Sequence, residues 1–175
     1  MLRGEAVRSF TLMFLNMWAI DEHTMESSRF LAYPTKPVMD APGFVLPYSD
    51  SPVDGNKVGE QVYIDILSRS VIRDEHNMET ALQYAAERGV DVHLILPGIP
   101  DKKYAFALAH THYASLMKAG VKISEYTPGF VHAKVFVADD REAVVGTINL
   151  DYRSLYHHFE CAAYMLGVMR RHCFS

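Results

Sequence analysis

The residues best able to do chemistry in this chain fall in one run near its C-terminal end, His132-Ala-Lys134-Val-Phe-Val-Ala-Asp139. Gly146-Thr147-Ile-Asn149-Leu-Asp151-Tyr-Arg153 follows shortly after. A histidine can attack phosphorus or carry a proton to a leaving oxygen. A lysine ammonium and an asparagine amide can both donate to the non-bridging oxygens of a phosphate. A single histidine is most often just a satisfied core or surface group, so no one position carries weight. The set does: His132, Lys134, Asp139, Gly146, Thr147 and Asn149, at about one in twenty each, put a chance match well below one in a million per register. The set occurs once, whereas the chemistry it suggests normally uses two histidines.

These side chains must be positioned by the elements around them. The apolar run Val131 to Ala138 reads as a strand. Residues two apart on a strand share a face, which predicts that His132 and Lys134 point one way while Val131, Ala133, Val135 and Val137 pack the other side. An ammonium on so apolar a strand is costly unless an anion meets it. Thr147, Asn149 and Asp151 repeat the two-residue spacing if the chain stays extended, and Gly146 would let the backbone come close to a ligand.

Upstream, Gly4 to Ile20 reads as a helix that is apolar nearly all round and expects protein on every side. Asp21 to Pro42 has the look of a linker, Gly43 to Tyr48 of a strand, and Val58 to Ser68 of a helix. Asn77 to Arg88 is a well-marked helix stopped by Gly89, Val90 to Leu96 a strand, and Asp101 to Ala119 a long helix ending at Gly120. Strands are expected at Val121 to Tyr126, Glu142 to Gly146 and Phe159 to Leu166. This order predicts an α/β fold with a mixed β-sheet flanked by helices.

At 175 residues, 49% hydrophobic and 22% charged, the chain is the size and composition of a globular domain. Its net charge of -4 gives no global basic field for nucleic acid. Cys161 and Cys173 are too few for a disulfide framework and lack zinc-site spacing. The apolar run Phe10 to Ile20 falls short of the ~20 residues that span a bilayer. His110 and His112 sit two apart on a helix and so point to different faces, which disfavours a shared metal. Lys102-Lys103 reads as an exposed helix start, and Cys161 as a packing residue.

His132-x-Lys134-x4-Asp139-x6-Gly146-Thr147-x-Asn149 resembles the HKD motif of the phospholipase D superfamily. Pro97 to Lys103, Glu125 to His132, Asn149 to Leu155 and His158 to Cys161 look like the C-terminal half of a bacterial cardiolipin synthase, a likeness running from about Gly4 to Val168. That resemblance implies one half of a phospholipase D-like fold and transfer of a phosphatidyl group. Two phosphatidylglycerols become cardiolipin plus glycerol through a phosphohistidine, with no metal and no cofactor. It implies that His132 is the nucleophile or the acid/base, and that Lys134 and Asn149, with Thr147, hold the phosphate. Asp139 joins the catalytic set as part of the motif, and Glu160 supports the site. The implied partners are phosphatidylglycerol, a second HKD half and a membrane surface, with no nucleic acid; the implied location is the bacterial cytoplasmic membrane.

By the same resemblance, residues 1–42 are the helix and linker joining two halves, 43–168 the second HKD domain and 169–175 a truncated tail. A strand expected between Ser70 and Val71 is missing from the sequence. Three readings follow: half of a phosphatidyltransferase that is inactive in isolation, a single-HKD phosphodiesterase or nuclease completed by homodimerisation, and a catalytically inactive fragment.

Overall fold

The computed structural model describes residues 2, 4–22, 28–32, 43–53, 55–68 and 78–167. The expected missing strand near Ser70, most of the linker before Gly43 and the C-terminal tail lie outside the described residues. The chain divides into two compact units, residues 1–59 with 134–175, and residues 60–133.

The first unit is a four-stranded sheet in the order β1 (Phe44–Asp50), β6 (Glu160–Leu166), β5 (Glu142–Gly146), β4 (Lys134–Ala138). All its pairings are antiparallel. Register fixes the faces, because residues directly opposite share one side. Lys134, Gly146, Ala162 and Tyr48 form one such row, and Phe136, Val144, Tyr164 and Leu46 the next. Val144, Ala162, Tyr164 and Tyr48 are buried on that face, with Ile148 and Leu155 completing the core. The opposite face differs from expectation. Val135 is 57% and Val137 48% exposed, so the valines do not pack as the alternation predicts. Only the small Ala143 and Ala163 are buried there.

The N-terminal helix α1 (Glu5–Glu22) forms where expected and contacts β1. It keeps Val7, Leu12, Phe14, Met17, Trp18 and Ile20 exposed, in line with an apolar surface that calls for more protein around it. A four-residue helix, α2 (Ser28–Leu31), follows it. Asp50, 2% exposed at the end of β1, accepts from the backbone N–H of Val58 (2.8 Å) and Gly59 (2.6 Å). Those are the first two amides of α3 (Val58–Ser68), so the carboxylate caps donors that a helix start leaves unpaired.

The second unit carries α4 (Met78–Glu87), β2 (His93–Pro97), α5 (Lys103–Lys118) and β3 (Lys122–Tyr126), with β2 and β3 parallel. The α/β class with flanking helices is as the sequence predicts, and the described strands form two hydrogen-bonded sheets, one antiparallel and one parallel. Met78, Ala81, Leu82 and Ala85 make the expected buried stripe of α4. Gly89 and Gly120, at φ of +92° and +100°, end α4 and α5 in the left-handed conformation.

The two α5 histidines go to different partners. His112 Nδ1 lies 2.6 Å from Glu79 Oε2, whose other oxygen accepts from Ser115 and from Gln83. His110 Nε2 lies 2.9 Å from Glu125 Oε1, which also accepts from the Tyr113 hydroxyl at 3.1 Å. Burial, and then this bond to a carboxylate, push the Tyr113 hydroxyl up to about 12. The Ser115 bond, ahead of His112, holds Glu79 below its ordinary value of 4.5. A carboxyl lowered in the folded state stabilises it fully above the unfolded value, and the benefit is lost as pH falls through the folded value. Glu79→Gln is therefore expected to lower the melting temperature at neutral pH and to flatten its decline below pH 4.5, as read by thermal unfolding across a pH series.

Candidate functional site

Four of the predicted residues gather at one end of the four-stranded sheet. Lys134 opens β4 and pairs with Gly146, the last residue of β5, which in turn pairs with Ala162. Lys134 is half-buried on the core face, on the side of β4 away from Val135 and Val137, which the alternation predicts to be the packed ones. Glu160 stands two residues before Ala162 on the same face of β6, opposite Asp50, with His158 Nδ1 3.5 Å from its Oε1. Thr147 and Asn149 follow Gly146 directly at this end.

Gly146 is glycine for a reason other than the expected one. A Cβ there would run into the Cβ of Ala162 and the carbonyl oxygen of Cys161. Close strand packing, rather than approach to a ligand, excludes a side chain. The next residue continues that contact. Thr147 N–H donates to Cys161 O at 2.9 Å, its hydroxyl donates to the same carbonyl at 3.3 Å, and Cys161 N–H donates to the hydroxyl at 3.1 Å. The Thr147 hydroxyl thus both donates to and accepts from the Cys161 backbone.

The β4 ladder begins at Lys134, opposite Gly146, and not at Val131, so the shared-face expectation for His132 does not apply. His132 lies in the irregular segment before the strand, exposed, in the unit of residues 60–133, and its ring stacks on Phe130 with centroids 6.2 Å apart and planes at 7°. It remains two residues from Lys134 along the chain.

Asn149 is half-buried and donates from Nδ2 to the Ser154 hydroxyl at 3.1 Å. Ser154 is 2% exposed on the short helix α6 (Tyr152–Tyr156), and its N–H donates to Asp151 Oδ1 at 2.8 Å. Ser154 lies outside the motif. The spacing of Asp151 and Ser154 was a usable signal, since an Asp at the N-cap accepts from the amide three residues on.

Asp139 is set apart from this group. It lies past the far end of β4, about 16 Å of strand from Lys134 at ~3.3 Å per residue, in the turn to β5. Asp139 and Asp140 have φ of +52° and +53°, and Arg141 N–H donates to Ala138 O at 3.1 Å. Positive φ at both central positions is what tight hairpin turns demand, and Asp tolerates it better than most residues. Asp139 is thus placed by the turn and not beside Lys134. Among the described residues no group of three His, Cys, Asp or Glu could hold a metal ion, and no helix is long and apolar enough to cross a membrane.

Lys134 is half-buried, and the Asn149 amide is held by Ser154. Residues 60–167 match the domain described as "Cardiolipin synthase, PLD-like domain", and the chain belongs to that phospholipase D-like family. It is 60% identical to an uncharacterized protein of Streptococcus mutans over 94% of this chain and 38% of the relative. It is 36% identical to the cardiolipin synthase of Geobacillus thermodenitrificans over 94% of this chain and 35% of that enzyme. The chain thus spans little more than a third of the length of these relatives. Among solved structures, Nuc of Salmonella typhimurium, a phospholipase D family member, shares the fold with a TM-score of 0.56 at 16% identity, covering 71% of this chain and 83% of Nuc.

The packing at Gly146 carries its own test. Gly146→Ala is expected to destabilise the chain by about 1–3 kcal/mol, the usual cost of overpacking, measured by denaturant unfolding against the wild type.

Proposed function

We propose that this chain is one catalytic half of a phosphatidyltransferase of the cardiolipin synthase type, joining two phosphatidylglycerols into cardiolipin and glycerol. The observation that carries the reading is the Lys134–Gly146 pairing, which holds an ammonium on the core face of an apolar strand, with Asn149 three residues beyond the glycine. A charge placed there gains most when a phosphate meets it. Lys134 and Asn149 bind the non-bridging oxygens, and Glu160 supports the site from β6.

His132 acts on the phosphodiester in one of two roles. As nucleophile, its ring nitrogen forms the bond to phosphorus while the bond to the first glycerol breaks, and a second histidine protonates that leaving oxygen. The hydroxyl of the next phosphatidylglycerol then loses its proton to the second histidine and displaces His132. As acid/base, His132 exchanges parts with that histidine. The second histidine comes from another HKD half, and the reaction takes place at a membrane surface. The identity to cardiolipin synthases along 94% of this chain supports the choice of substrate.

Phosphatidylglycerol conversion, assayed with the chain alone and with a separately supplied first half, tests the reading. Activity is expected only on complementation, and His132→Ala is expected to reduce it by about 10²–10⁴-fold or more. Activity of the chain alone that rises with dimer formation would assign it instead to a self-paired phosphodiesterase. Absence of activity in both formats would leave an inactive fragment.

A further inference from the structure

We infer that Ser154 is a positioning residue that fixes which end of the Asn149 amide faces the phosphate. The inference rests on the reading of Asn149 as a phosphate donor and adds what makes it one. An amide's two ends are nearly equal in size, but only the nitrogen can donate. An Asn149 turned the other way would set a carbonyl oxygen against an anion. Asn149 is only half-buried, so packing alone does not choose between the two.

Ser154 makes the choice. Its hydroxyl accepts one of the two Nδ2 protons at 3.1 Å, which leaves the second N–H for a ligand oxygen. The serine is itself held. It is 2% exposed, it lies on α6, and its backbone N–H is tied to Asp151 Oδ1 at 2.8 Å. Asp151 thus fixes the backbone of Ser154, and Ser154 fixes the amide of Asn149. Ile148 and Leu155, 1% and 5% exposed, are packed into the core beside this chain of bonds.

A double-mutant cycle on the full chain tests this, with titration calorimetry against inorganic phosphate and, separately, a soluble short-chain phosphatidylglycerol. Ser154→Ala is expected to weaken binding by about 5–10-fold, the range of one lost hydrogen bond. In an Asn149→Ala background it is expected to do nothing more, because the amide it positions is gone. Ser154→Thr, which keeps the hydroxyl, is expected to restore affinity, with circular dichroism confirming that each variant is folded. A loss with either ligand that vanishes without Asn149 supports the inference, and the ligand affected names the source of the phosphate. A loss that persists in Asn149→Ala makes Ser154 a structural residue only and overturns it. If Asn149→Ala weakens binding and Ser154→Ala does not, this inference fails alone. If Asn149→Ala changes nothing, or the wild type binds neither ligand, the reading of Asn149 as a phosphate donor fails as well.

Discussion

The close approach of β5 and β6 at Gly146 is the constraint on which the site depends. With no room for a Cβ, the two strands meet tightly enough for Thr147 to stay with Cys161 through both its backbone and its hydroxyl. That junction keeps the chain beside β6 past Gly146, the residue opposite Lys134. It also fixes the path of the backbone toward Asn149. Within a motif that looks like a list of ligands in the sequence, Gly146 and Thr147 also hold the strands together.

How much was legible depended on what each residue's environment had to supply. The span of α3, the β5 limits, the buried stripe of α4 and its glycine stop could be read because period and end signals are local. Alternation on β4 sets Lys134 opposite Val135, but does not report that the lysine's face is the covered one. His132 was placed on a strand because Val131 to Ala138 is apolar throughout. It lies outside β4, whose first residue is Lys134, and no local pattern in residues 131–134 reports that limit. The exposed Val135 and Val137 were misjudged in the same way, since alternation separates two faces without saying which of them is covered. Ser154 was hidden by its ordinariness, because a serine in the first turn of a short helix gives no hint of the side chain bound to it.

The two-aspartate turn between β4 and β5 gives the motif's spacing a geometric meaning. With Asp139 and Asp140 both in the left-handed conformation, the turn sets which residue of β4 faces which residue of β5. Side chains alternate along a strand, so a slip of one residue would carry Lys134 to the face where Val135 now lies. The four residues between the lysine and the aspartate therefore work as a ruler. An insertion or deletion of one residue within the ruler would leave every chemical group of the motif in the protein and still turn its cation to the opposite face of the sheet. The aspartate's place in the motif is that of a zero mark, from which the position of the lysine is counted.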